Sequence, residues 1–130
     1  MARANIRTFT TDTGGKPVED WIRSLTPQER AEVILVVELL EAHGHDLGMP
    51  HARYVESGLW ELRVRVGRVR LRIFYFHWKG RTFGLLHGLA KKTAATPRAE
   101  IERAQARRAA WLARDRAGRS EAKGGEEEHE

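Results

Sequence analysis

The spacing of apolar residues changes period twice along the chain, and each change marks a new kind of element. The stretch IRTFT at 6–10 alternates and predicts a short first strand; TDTGG, 11–15, follows as turn chemistry. Val18, Trp21, Ile22 and Leu25 then fall at i, i+3, i+4 and i+7, one face of a short helix with Pro17 in its first turn. Thr26-Pro27-Gln28-Glu29 is a capping box with proline at the first helical position. It opens a second helix that Gly44 stops after His43. Val33, Ile34, Val36, Val37, Leu39 and Leu40 make this helix apolar nearly all round, which predicts deep burial. The two helices are expected to pair as a hairpin.

From Leu59 onward the period becomes 2. HDLGMPHARYVESG, 45–58, reads as a loop with a short strand near Tyr54, and three strands follow at about 59–66, 69–78 and 82–91. Thr96-Pro97 opens a last helix to about Arg116. Ile101, Ala104, Trp111 and Leu112 form only a thin apolar stripe on it, so it is expected to lie loosely on the domain or to serve a partner. The expected fold class is α+β: an N-terminal helical hairpin packed on a small antiparallel β-sheet, with a C-terminal helix. One domain over 1–117 is expected, then a disordered acidic tail, 118–130, with hardly an apolar residue in it.

The run RVRVGRVRLR, 63–72, fixes a register by itself. With Gly67-Arg68 as a two-residue turn, Val66 faces Val69, Arg65 faces Arg70, Val64 faces Leu71, Arg63 faces Arg72 and Leu62 faces Ile73. One face of the ribbon is aliphatic and suited to packing on the helices. The other stacks four guanidiniums in two opposed pairs, a cost of roughly 0.2–1 kcal/mol per pair. Half-burial of six aliphatic side chains, on the order of 5–10 kcal/mol, outweighs that cost. The arginines are therefore expected to weaken the fold slightly and to serve something else, a phosphate chain being the simplest candidate for planar guanidinium forks.

Charge sharpens this reading. The chain of 130 residues carries +5 overall, yet residues 59–92 hold nine Lys/Arg against Glu61 alone, a local +8. Such a concentration in the strand-rich block is the footprint of a polyanion partner, nucleic acid first. Phe74, Phe76 and Trp78 continue the arginine face of the second strand, where they either stack bases or fill a core. His87 lies in the third strand between Gly84 and Gly88, which permit the close approach of a backbone or ligand. Lys91 and Lys92 close that strand just before the last helix, an arrangement suited to an anion. There is no cysteine and no apolar run long enough for a bilayer, and MARANIRTFTTDTGG has no signal-peptide block. A cytoplasmic protein with no membrane association is expected. His43, His45 and His51, with Asp46 the one carboxylate near them, give no metal-ligand pattern, so neither metal nor cofactor is expected.

GLWELRVRVGRVRLRIFYF followed by LLHGLAKKTAATPRAEIERAQARR resembles the HigB-type, phage-related branch of the RelE/ParE toxin superfamily, over about residues 6–114. Leu89 departs from the phenylalanine usual there. The resemblance implies the toxin half of a type II toxin–antitoxin pair, with a small helix-turn-helix antitoxin as partner in a hetero-oligomer. It implies cleavage of messenger RNA, commonly on the translating ribosome. By that resemblance Arg63, Arg72, Lys91 and Lys92 position the phosphate and stabilise its charge, while Arg65, Arg68 and Arg70 grip flanking RNA. His87 is the candidate proton carrier, because its pKa lies near working pH. Two other readings stand beside it: a ParE-like inhibitor of DNA gyrase, and an RNA- or ribosome-binding module without catalysis.

Overall fold

The computed structural model describes residues 3–93 and 95–128, with side chains described as far as residue 118. In chain order the elements are β1 (Asn5–Thr8), α1 (Pro17–Ser24), α2 (Pro27–His43), a 3-10 turn (Gly44–Asp46), β2 (Ala52–Glu56), β3 (Leu59–Val66), β4 (Val69–Lys79), β5 (Thr82–Lys91) and α3 (Arg98–Glu128). The acidic tail expected to be disordered falls mainly on residues 119–130, whose side chains lie outside the described residues.

The strands form one five-stranded sheet in the order β1-β5-β4-β3-β2. β2 through β5 are antiparallel neighbours, but β1 pairs in parallel with β5, so the sheet is mixed rather than purely antiparallel as expected. The reason is topological: β1 is joined to its partner only through two helices and three further strands, a pairing that local periodicity cannot announce. The hairpin register is the one the sequence dictates, from Val66 opposite Val69 to Leu62 opposite Ile73. Gly67 takes φ +58°, the left-handed value that the first position of its turn requires.

Each face of the sheet carries its own core. Leu62, Leu71, Ile73, Tyr75, Phe83 and Leu85 meet Val18 of α1 and Val33, Val36 and Leu40 of α2. The capping box of α2 is complete: Thr26 accepts from the Glu29 amide and Glu29 accepts from the Thr26 amide. α2 packs chiefly on β3 and α1 on β5, with little contact between them, so the expected helical hairpin holds only in part. The expectation of deep burial for α2 also fails: Ile34 is 46% and Leu35 53% exposed. One stripe of the helix faces the sheet, and among the described residues Ile34 and Leu35 stay largely open to solvent.

The opposite face belongs to α3. Phe74 and Phe76, expected either to stack bases or to fill a core, are buried with Phe9, Leu59, Leu86 and Leu89 around Ala104. Trp111 meets Phe76 and Trp78 edge-on, with ring centroids 5.3 and 5.5 Å apart. α3 is thus docked rather than loose. Its own stripe is thin, but the sheet supplies the ring surfaces, and Arg107, Arg108 and Arg114 lay guanidiniums over Phe9 and Phe76. The glycines of β5 admit rings of this protein, not a ligand. A Cβ on Gly84 would stand 2.6 Å from Phe76, and one on Gly88 would stand 2.3 Å from Trp21. Among the described residues no helix is long and apolar enough to cross a membrane.

Candidate functional site

Strand alternation and register together place the cations in rows across the α3 side of the sheet. Arg65 is opposite Arg70, which is opposite Lys91; one step inward, Arg63 is opposite Arg72, which is opposite Leu89; the next row is Glu61, Phe74 and His87. α3 starts at Arg98 and covers the aromatic end of this face, leaving the arginine end beyond it. Arg65, Arg68 and Lys92 are exposed, while Arg63, Arg70 and Lys91 are half-buried. Among the described residues, Arg65, Arg68, Arg70, Lys91 and Lys92 form no salt bridge. Arg65 instead donates to the carbonyl of Gly67 at 3.2 Å, within its own turn.

Arg72 departs from the expected open ribbon. It is 4% exposed and donates from Nη1 to Oε1 of Glu61 at 2.8 Å, and Glu61 is itself 1% exposed. Arg53 of β2 approaches the same oxygen at 3.1 Å and Arg63 at 3.9 Å. The expected stability cost of the four guanidiniums therefore does not hold at Arg72, because Glu61, the one acid of the block, pairs with it. Arg53 escaped the sequence reading because its place depends on the pairing of β2 with β3, where Arg53 is opposite Glu61.

His87 lies at a β-bulge: Phe74 pairs with His87 and Tyr75 with Leu85, so Leu86 is the extra residue, and both Leu86 and His87 meet α3. Arg107 donates to the Leu86 carbonyl at 2.9 Å and to His87 Nδ1 at 3.3 Å. A guanidinium has no acceptor, so Nδ1 must accept, and the ring proton sits on Nε2, where it is donated to Glu100. Burial lowers the His87 pKa below the ordinary imidazole value. The Glu100 hydrogen bond and charge oppose that shift, while Arg107 and Arg103 add to it. Glu100 is held below the usual carboxylate range, first by the His87 bond and then by nearby Arg103 and Lys91. His87 is thus a neutral ring with both nitrogens engaged. Glu100 and Arg107 were not legible as its partners, since they arrive from another element.

These two shifts act in the same direction on stability. The unfolded chain binds a proton at His87 more readily than the folded one, so stability falls as pH drops below the ordinary imidazole value of about 6.5. The contribution of Glu100 is present above the ordinary carboxylate value and is lost on further acidification. Tm measured from pH 7.5 to 5 is expected to decline, and His87→Gln is expected to flatten that decline. An unchanged slope in the variant would assign it to other groups.

A cleft of about 440 Å³ opens on the other side of the hairpin, between α2 and β3–β4. Its lining includes Glu32, Leu35 and Leu39 of α2, Pro50 and His51 of the preceding loop, and Arg63, Arg65, Arg70 and Arg72. The loop is tied to the hairpin edge where β2 no longer pairs: the Arg63 amide donates to the His51 carbonyl at 2.8 Å, and the Arg63 guanidinium meets Met49 Sδ at 3.4 Å. Among the described residues no group of three or more His, Asp or Glu is placed to hold a metal ion.

No curated protein matches the sequence. Residues 20–109, from α1 through the first third of α3, match the family described as Phage derived protein Gp49-like (DUF891), and that stretch contains every residue of the arginine rows and of the His87 pair. The chain thus belongs to the Gp49-like phage-derived family, a RelE/ParE-like toxin family of toxin–antitoxin systems.

Proposed function

We propose that the chain is the HigB-type toxin of a type II toxin–antitoxin pair and that it cleaves messenger RNA on the translating ribosome without a metal. The observation that carries this reading is the row Arg65, Arg70, Lys91. It sets three cations on three adjacent strands, spanning roughly 10 Å, with no salt bridge to a carboxylate among the described residues. A fold that leaves such a row unneutralised has room for a polyanion there. Family membership supports the toxin role and an antitoxin partner.

In the proposed reaction the ribose 2′-oxygen attacks the adjacent phosphorus. The P–O5′ bond breaks, leaving a 2′,3′-cyclic phosphate and a 5′-hydroxyl. Arg63, Lys91 and Lys92 position the phosphate and stabilise the charge of the pentavalent state, and Arg65, Arg68 and Arg70 grip the flanking strand. Arg72 acts from beneath, holding β3 to β4 through Glu61 so that the other guanidiniums keep their spacing. His87 with Glu100 is the proton-handling pair beside Lys91; the 2′-hydroxyl proton goes to that pair and the leaving 5′-oxygen is reprotonated from it.

The test is to induce expression and map new 5′ ends in a translated message. Wild type is expected to arrest growth and produce cuts. Arg65→Ala/Arg70→Ala is expected to abolish both, with Tm within about 2 °C of wild type, since neither residue has an ion pair among the described residues. The engagement of both His87 nitrogens favours a second reading, an RNA- or ribosome-binding module that does not cut. Growth arrest with an intact message and retained ribosome binding selects that reading. An intact message with loss of DNA supercoiling selects a gyrase inhibitor.

A further inference from the structure

His87 and Glu100 share a hydrogen bond, but they do not share access to solvent. The His87 side chain is 11% exposed and that of Glu100 27%. Both ring nitrogens are engaged, Nε2 as donor to Glu100 Oε2 and Nδ1 as acceptor from Arg107. Glu100 uses only Oε2 in its bond, and among the described residues its Oε1 has no hydrogen-bond partner. We propose that Glu100, not His87, is the catalytic residue that takes the 2′-hydroxyl proton, and that Arg107 is the positioning residue that holds the ring proton of His87 on Nε2. This assignment rests on the nuclease reading above and names the atoms of its proton step.

Arg107 has the geometry for that task. Leu86 is the extra residue of the bulge, and its carbonyl accepts from Arg107 Nη1 at 2.9 Å. The same Nη1 stands 3.3 Å from His87 Nδ1. A donor anchored on the backbone thus faces the ring, and a ring proton on Nδ1 would collide with it. The guanidinium also lies over Phe9 at 5.6 Å, which fixes it from another side. Phe74 of β4 stacks on the imidazole with 6.2 Å between centroids and 13° between planes, so the ring keeps its plane. The charged groups facing the ring come from α3: Arg103 and Arg107 disfavour the imidazolium and Glu100 favours it, while β4 presents only the Phe74 ring. Lys91 of β5 acts on Glu100.

A neutral His87 matters to Glu100. An imidazolium would hold the carboxylate in a full ion pair and lower its basicity, whereas a neutral ring donates one bond and leaves the second oxygen open. Glu100 lies in the first turn of α3, with its amide bonded to the Pro97 carbonyl, where the helix dipole favours a carboxylate. Lys91, opposite Arg70 in the cation row, is close enough to bias it, so the base stands beside the groups that hold the phosphate. In the step itself, Oε1 takes the 2′-hydroxyl proton as the O2′–P bond forms. The P–O5′ bond breaks, and the pair returns that proton to the departing 5′-oxygen. A mere clamp of α3 on the sheet needs the Nε2–Oε2 bond, but neither an open Oε1 nor a donor on Nδ1.

Two measurements on the full chain test this. Nitrogen NMR of the imidazoles reads tautomer and charge without any cleavage. Wild type is expected to hold His87 as the neutral Nε2–H form near neutral pH. Arg107→Met, which keeps length and cover over Phe9, is expected to free Nδ1 and let His87 charge at a higher pH than in wild type; Arg107→Lys, which keeps a cation and a donor, is expected to stay close to wild type. The second measurement is cleavage on ribosomes programmed with a short message, beside the Kd for those ribosomes. Glu100→Gln is expected to slow cleavage by about 100-fold or more with Kd within about 3-fold of wild type, and His87→Gln, whose amide still donates to Glu100, by less than about 10-fold. Arg107→Met is expected to lose most at the acid end of the pH profile, and Arg107→Lys to restore that profile. A His87 proton on Nδ1, or a spectrum that Arg107→Met leaves unchanged, overturns the role of Arg107; the first is read on wild type alone, so an Arg107→Met protein that fails to fold leaves the test standing. A lower Tm for Arg107→Met with an unchanged spectrum and pH profile makes Arg107 a clamp and overturns its role too. A larger loss from His87→Gln than from Glu100→Gln returns the base to the ring and overturns the role of Glu100. A wild type that leaves the message intact sinks the nuclease reading and the role of Glu100 with it, while the spectrum still decides whether Arg107 sets the ring.

Discussion

Arg72→Ala is expected to lower stability by about 3–5 kcal/mol, the range for removing one partner of a buried ion pair. For a chain of this size that is a fall in Tm of roughly 10–20 °C. The cause lies in what is left behind. Glu61 is 1% exposed, its Oε2 has no hydrogen-bond partner among the described residues, and its Oε1 would keep Arg53 at 3.1 Å, a side chain that is half in solvent and poorly placed to replace a buried donor. The carboxylate must then take up a proton or admit water, and either loosens the β3–β4 pairing around Leu62 and Ile73. Glu61→Leu/Arg72→Met, which replaces the pair with apolar groups of similar size, is expected to recover most of the loss. Thermal melts of the three proteins decide the matter. An Arg72→Ala protein melting within about 2 °C of wild type would mean that the pair does not hold the sheet. Melts beside the growth assay separate support from chemistry: Arg72→Ala lowers stability, whereas Arg65→Ala/Arg70→Ala removes activity and leaves stability intact.

Gly88→Ala is expected to cost about 1–3 kcal/mol or more, the range for overpacking a filled core. The new methyl would meet Trp21 Cε3 at 2.3 Å, Cδ2 at 2.5 Å and Cζ3 at 2.6 Å, so the whole ring face stands in its way rather than the end of a flexible chain. Trp21 lies on α1, and α1 packs mainly on β5, so the indole cannot withdraw without lifting the helix from the sheet. Gly88 is also opposite Ile73 in the register, which carries the strain to the strand of the arginines. Trp21→Leu is expected to relieve the clash, making Gly88→Ala far less costly in that background, a coupling that a double-mutant cycle measures. Equal costs of Gly88→Ala in both backgrounds would place the origin in the backbone of β5 and not in the indole.

Local chemistry determined much of this protein. The capping box fixed where α2 begins, and Gly67-Arg68 fixed five cross-strand pairs, because each depends on residues two to four positions apart. The positions of β3, β4 and β5 followed from alternation, and with the turn so did the opposition of Arg63 to Arg72 and Arg65 to Arg70. What each face meets did not follow from it. Alternation says that Arg72, Phe74 and Phe76 share a side but not that α3 covers that side at the aromatic end. It says nothing of β1 lying parallel to β5, of Arg53 reaching Glu61 from β2, or of Glu100 and Arg107 fixing the tautomer of His87. α2 shows the same limit from the other direction: its composition called for cover on every side, and only the packed arrangement reveals that Leu35 is left beside a cleft. Backbone hydrogen bonding and turn geometry act over a few residues, so the sequence determined the strands and the rows of cations. The charge that remains in those rows depends on residues far apart in the chain, which only folding brings within a few ångströms. The tertiary structure therefore decided that Arg72 is neutralised and that Arg65, Arg70 and Lys91 are left without salt bridges among the described residues.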